Sequence, residues 1–286
     1  MKNLLTRSFS SLFIVAIIIG GLFFNSLSNY FLFLSILVLG LNEFYSFVKA
    51  ASYKPNVIVG VFIAASIYTI SYFVALKIWP FSTFIWIIPL FSILLIIELY
   101  RKKEQPIVNL AVTVLGILYL ALPLSLIHFM VIHSDTASGS LDITTQLLNK
   151  QAMYFNSFVI IGYFMIQWTS DTGAYLAGVT LGKHRLFERI SPKKSWEGAI
   201  GGFIAALGVA FLVHTIFPQL KLENWIVISI IINIFGIYGD LLESLFKRSV
   251  SVKDSGNIIP GHGGILDRFD STLLGLPIVF FYLQII

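Results

Sequence analysis

The sequence predicts an all-α, polytopic integral membrane protein of about nine transmembrane helices, on three observations. Apolar residues make up 57% of the 286 and charged residues only 12%, against about a quarter charged in an ordinary globular domain. Several apolar runs exceed the roughly 18 residues that mark a membrane span. The basic residues sit in short clusters between those runs. With the N-terminus in the cytoplasm, all of the 19 except Lys77, Lys150 and Lys221 fall on the cytoplasmic side, as the positive-inside rule requires. Hydropathy alone sets the spans, so the charge asymmetry is an independent check.

The breaks between apolar runs give helices at 9–26, 30–48, 56–76, 82–100, 107–131, 154–181, 198–217, 224–246 and 265–286, with the C-terminus external. Lys2 and Arg7 followed by the run from Phe9 resemble a signal peptide. No small-residue cleavage site follows, and a retained first helix is expected. The polar loop from His133 to Gln151 is the main external connector. The absence of cysteine excludes disulfides, thiolate metal sites and iron-sulfur clusters. The net charge of +5 is accounted for by topology clusters and contact with anionic headgroups, which argues against a nucleic-acid partner.

No internal repeat or low-complexity tract is evident, yet polarity divides the chain. Residues 1–150 read as an N-terminal transmembrane scaffold of five helices. There Glu43 and Glu98 lie at predicted cytoplasmic helix ends and His128 near an external end, all read as interfacial or hydrogen-bonded. Scattered small residues in these helices allow a homodimer without defining an interface motif. Residues 151–286 read as a C-terminal domain that carries the chemistry, with helices six to nine and cytoplasmic loops at 182–197 and 247–264.

Three stretches supply that chemistry. In QWTSDTGAYLAG, Gln167 to Gly178, Asp171 falls inside an apolar helix, roughly 15 Å from its polar end. An intramembrane carboxylate is a functional candidate by default. In GKHRLFERISPKKSWEGAIGG, Gly182 to Gly202, Ser191 before Pro192 has the pattern of an N-cap with proline at the first helical position. Lys193 and Lys194 beside such a helix start would make a phosphate site. The neighbouring GVTLGKH is not a P-loop: one residue of spacing is missing and His184 stands where Ser or Thr would bind magnesium.

The third stretch joins the end of helix eight to the last helix. Helical spacing puts Asp240, Glu243, Ser244 and Lys247 on one face, with Asp240 about 10 Å inside the polar end. After the run KRSVSVKDSGNIIPGHGGILDRFD, Lys247 to Asp270, the last span must begin near Ile265 to reach roughly 20 residues. Asp267 and Asp270 then occupy its first turns. Asp240 and Asp267 thus come from different helices, both just inside the cytoplasmic boundary, and could share a hard cation. Oxygen ligands without thiols point to magnesium, manganese or calcium, and magnesium is usual where substrate phosphates complete the coordination. Gly261, Gly263 and Gly264 suit a backbone anion nest, and Lys247, Arg248, Lys253 and Arg268 can neutralise phosphate charge. This is the equipment of phosphoryl or nucleotidyl transfer.

The segment SLFKRSVSVKDSGNIIPGHGGILDRFDS, Ser244 to Ser271, resembles the signature of bacterial phosphatidate cytidylyltransferases, also called CDP-diglyceride synthetases. SDTGAY at Ser170 to Tyr175 and SPKKSWEG at Ser191 to Gly198 resemble further blocks of that family, so the likeness covers the C-terminal half. The resemblance implies transfer of CMP from CTP to phosphatidic acid, giving CDP-diacylglycerol and pyrophosphate for phospholipid biosynthesis, at the cytoplasmic face of the cell inner (plasma) membrane. It also implies a paired Mg2+ and K+ centre held by Asp240 and Asp267, with Asp171 as a further metal candidate. Lys247, Arg248, His262 and Arg268 join the catalytic set, while Ser191, Lys193, Lys194, Lys253, Asp254, Gly263 and Gly264 form the substrate-binding set. Two other readings use parts of the same equipment: a related lipid-phosphate cytidylyltransferase or polyprenol kinase, and an ion-coupled transporter built on Asp171 and Asp240.

Overall fold

The computed structural model describes residues 14–133, 140–141, 153–252, 255–256 and 263–286. The chain gathers into two compact units, one of Met1–Ser157 with Ser249–Arg268, the other of Phe158–Arg248 with Phe269–Ile286.

In the first unit, α1 (Ile14–Phe23) and α2 (Ser26–Lys49) meet at a capping box. Asn25 Oδ1 accepts the Ser28 N–H at 2.9 Å, and Ser28 Oγ accepts the Asn25 N–H at 3.2 Å, so two N–H groups that a bare helix start would leave unpaired are satisfied. Then come α3 (Val57–Ala75), a 3-10 turn at Phe81–Trp86 that leads into α4 (Ile87–Arg101), and α5 (Pro106–Gly116). A π-helical turn, Ile117–Ala121, joins α5 to α6 (Leu122–Val131) without a break. Tyr45 causes the close fit there. Its hydroxyl donates to the Thr113 carbonyl at 2.7 Å, and a Cβ at Gly116 would come within 2.8 Å of its ring.

The second unit holds α7 (Phe158–Leu181), α8 (Trp196–Ile216), α9 (Leu222–Ser249) and all but the first turn of α10 (Leu266–Leu283). Small residues line the seam between α7 and α8: a Cβ on Gly173 would come 2.6 Å from that of Ala205, and one on Gly202 2.9 Å from the Ser170 carbonyl. Such stripes let helices approach where lipid removes the hydrophobic drive to associate. Trp225 of α9 fills the space over Gly162, Phe164 of α7 stands edge-on to Phe269 of α10, and Tyr282 bonds Asn224 at 2.9 Å.

Among the described residues, six helical stretches are long and apolar enough to cross a membrane. They are α2, α3, α4 with its 3-10 turn, the continuous α5 to α6, α8 and α9. The most apolar window of α4 is 11% buried, and Leu99, Tyr100, Ile88 and Phe81 lie open. That surface demands hydrocarbon around it. The protein is an all-α polytopic membrane protein. Two further helices, α7 and α10, carry Gln167, Ser170 and Asp171, and Asp267, Arg268 and Asp270.

Two expectations need correction. The helix expected over 154–181 begins at Phe158, because Tyr154–Phe155 pairs as a short strand with Ile132–His133 on one side and Ser140–Leu141 on the other. Ser191 is not an N-cap: Ser191–Ser195 forms a hairpin with Arg185–Phe187, and Ser195 caps α8 by accepting the Gly198 N–H at 3.1 Å. Proline at the second hairpin position only removes one ladder donor, which a two-stranded ribbon tolerates. The helical membrane architecture therefore carries two small β elements.

Candidate active site

The hairpin strand sorts the two lysines expected to act together. Successive strand residues face opposite sides, and Lys193 is exposed while Lys194 turns inward. Lys194 Nζ lies 2.5 Å from Asp240 Oδ2 on α9. Asp240 Oδ1 also accepts the Ser244 hydroxyl, one turn along, at 3.3 Å. The base of the hairpin is closed by Glu197 in the first turn of α8, which accepts the His184 Nδ1 at 2.6 Å and the backbone N–H groups of Lys183 and His184 at 3.1 and 3.2 Å.

Gly239 sets the next part of the geometry. A Cβ there would lie 2.5 Å from the Asp270 carbonyl and 3.0 Å from the Ser271 Cα, so α9 and α10 touch backbone to backbone beside Asp240. Asp270 is consequently held within electrostatic reach of Asp240 and Asp171, and it shares a side-chain hydrogen bond with Glu243. Glu243 is fully buried and pairs with Lys247 at 3.2 Å, one turn along α9. On α7, Asp171 Oδ1 accepts Gln167 Nε2 at 3.1 Å, and Ser170 donates to Asn233 of α9 at 2.7 Å.

The other part of the signature is a turn in the first unit. Gly263 has φ +81°, a left-handed conformation for which glycine is the natural residue. Asp267 Oδ2 accepts the Gly264 N–H at 2.9 Å and the Ser255 N–H at 3.3 Å. The Leu266 N–H donates to Glu43 Oε2 at 2.8 Å.

The structure thus brings Lys194, Asp240 and Asp270 together, and separately gathers Gly263, Gly264 and Asp267. Lys247 is committed to Glu243, whereas Arg248, Arg268 and Lys193 are exposed. Lys253, Asp254 and His262 lie outside the described residues. Sequence reasoning left Asp270 out of the candidate set and gave Glu197 no part at all. It read Glu43 as interfacial or hydrogen-bonded, and of the two the second holds: Glu43 is only 5% exposed and its Oε2 accepts the Leu266 N–H. A carboxylate within an otherwise apolar helix was the available signal. His128 likewise proves fully buried, among the rings of Tyr30, Tyr68 and Tyr72.

Asp267, Asp270, Lys194 and the glycine turn fall in the segments that resemble the family signature, and Asp240 lies just upstream of the longest of them. The description "Cytidylyltransferase family" attaches to a family model that matches residues 5–286. The chain belongs to the cytidylyltransferase family. Among individual relatives, it is 51% identical over 122 residues to the phosphatidate cytidylyltransferase of Staphylococcus saprophyticus, 51% to that of Staphylococcus haemolyticus and 50% to that of Staphylococcus aureus strain COL. Each of these matches takes in 42% of this chain and 46% of the relative. The chain spans about half the length of the curated relatives it matches.

Proposed function

We propose that this cytidylyltransferase-family chain is a phosphatidate cytidylyltransferase, moving CMP from CTP to phosphatidic acid at the cytoplasmic ends of its membrane helices. The observation that carries the reading is the Lys194, Asp240 and Asp270 cluster, a polar site built where two apolar helices touch. An oxygen of the lipid phosphate attacks the α-phosphorus of CTP. As that P–O bond forms, the bond from the α-phosphorus to the bridging oxygen breaks, and pyrophosphate leaves with the electron pair. The attacking oxygen is already anionic, so no strong protein base is required. Lys194 holds positive charge beside the carboxylates, and we assign the exposed cations Arg248, Arg268 and Lys193 to the triphosphate or the lipid headgroup.

The donor chemistry suits magnesium. Asp240, Asp267 and Asp270 present oxygens, there is no thiol, and among the described residues no three acidic, histidine or cysteine side chains form a ready-made cage. Mg2+ is ordinarily held by one or two carboxylates together with substrate phosphates. When bound, it would supply charge neutralisation on the phosphates. Asp240 and Asp267 are the carboxylates we assign to it, with K+ as the neighbouring ion that the family resemblance implies, and Asp171 as a more distant contributor. The same reading places the N-terminus in the cytoplasm, counts nine spans in the inner membrane, treats 1–150 as scaffold and 151–286 as the catalytic domain, and allows a homodimer.

The position of the label tests the reaction class. Purified chain in detergent, given phosphatidic acid and Mg2+, should move label from α-labelled CTP into lipid with equimolar pyrophosphate, and none from γ-labelled CTP. Transfer of the γ-label would instead mark a lipid kinase. Preference for an isoprenoid lipid phosphate over phosphatidic acid would move the assignment to another lipid-phosphate cytidylyltransferase.

A further inference from the structure

We propose that Glu43, on the scaffold helix α2, is a positioning residue that fixes the glycine turn before α10 and, through it, the cation-binding geometry of Asp267. The inference rests on the metal role assigned to Asp267 above. Glu43 is nearly buried in an otherwise apolar helix, a position that disfavours a carboxylate unless its oxygens find donors. Its Oε2 takes the Leu266 N–H at 2.8 Å, a contact 223 residues away in sequence. Leu266 opens α10, so that N–H is one of the donors a helix start leaves without an internal partner. A negative charge at this end also complements the helix dipole.

The turn is moulded around the same carboxylate. A Cβ at Gly256 would lie 2.6 Å from Glu43 Oε1 and 3.1 Å from its Cγ. One at Gly264 would overlap Glu43 Oε2 and the Ser255 hydroxyl. At neither glycine is there room for a side chain beside Glu43. Asp267 grips the same turn from within, through the Gly264 and Ser255 N–H groups. Glu43 and Asp267 divide two nearby donors of one short segment, Leu266 to the first and Gly264 to the second. Removing Glu43 frees the Leu266 N–H and opens a void beside Gly264, so the turn loses the contact that sets where Asp267 begins its helix.

The test uses the full chain in detergent, Mn2+ as a paramagnetic probe of the divalent site, and turnover at saturating metal. Glu43→Ala should weaken Mn2+ binding at least tenfold and lower kcat by a similar factor, with KM for CTP changing less than threefold. Glu43→Gln keeps the volume and an acceptor for Leu266, and should stay within threefold of the unaltered chain. Gly264→Ala presses a methyl group against the carboxylate and should reproduce the Mn2+ defect while leaving the acid in place. Glu98→Ala is the control for general loosening: Glu98 is as buried as Glu43 but bonds Arg101, and its loss should lower the melting temperature without changing Mn2+ affinity. Unchanged Mn2+ binding and kcat in Glu43→Ala, or an equal Mn2+ defect in Glu98→Ala, would overturn the positioning role. A chain that binds no Mn2+ at all, or an Asp267→Asn variant that binds it normally, would overturn the metal assignment itself.

Discussion

The closed polar pairs of α2 to α6 and the carboxylates Asp240 and Asp270 of α9 and α10 are used in opposite ways. In the first set the partners close on one another: Tyr45 on the Thr113 carbonyl, Ser26 on Tyr72 at 3.0 Å, the Asn56 N–H on Thr113 Oγ1 at 2.9 Å, Arg101 on Glu98 at 2.5 Å. These bonds spend their donors and acceptors on joining helices. In the second set, Asp240 and Asp270 face each other across a backbone contact with one lysine between charge balance and repulsion, and both remain half-buried. Closed pairs give rigidity. An excess of carboxylate oxygen that only partly escapes solvent would give a place for the cation and phosphates proposed above.

This contrast can be broken or sharpened by experiment. Chelating divalent metal should give the largest effect, a fall in CMP transfer of at least about a thousandfold that Mg2+ restores, because neutralisation of phosphate charge is the main source of catalysis in such a site. Lys194→Ala should come next, at roughly 100-fold in kcat/KM, while Lys193→Ala on the opposite strand face should cost less than about threefold, as expected of an exposed cation. Equal effects would mean that the strand does not sort the two lysines. In the closed set the readout shifts from rate to stability. Glu98→Ala should cost about 2 kcal/mol in detergent unfolding, less than a fully buried pair because Arg101 keeps the Lys54 carbonyl at 2.9 Å. Tyr45→Phe should cost about 1 kcal/mol, the usual net worth of one hydrogen bond, with turnover unchanged.

Helix positions were legible because hydrocarbon imposes long apolar runs, and the ends of α2, α3 and α8 fall within a few residues of the hydropathy breaks. Signature carboxylates were legible for the related reason that charge is rare in such a chain, so Asp240 and Asp267 stood out. Local pairing was not. Ser191 followed by Pro192 satisfies the rule for a helix start, yet Ser195 satisfies the N-cap rule as well and is the one that accepts a helix N–H. The hairpin is too short for a period-two pattern to announce it. Glu43 was hidden for a different reason: its meaning lies in a donor 223 residues away, and no local pattern records such a partner. Asp270 was visible as a charge, but only the close approach at Gly239 reveals which carboxylate it faces.

The most direct test compares Asp240→Asn with the unaltered chain, both purified in detergent and assayed with α-labelled CTP, phosphatidic acid and Mg2+. CDP-diacylglycerol formed by the unaltered chain and absent from a normally folded Asp240→Asn is the predicted result. Undiminished turnover by Asp240→Asn would contradict it, and would remove the Lys194, Asp240 and Asp270 cluster from the chemistry.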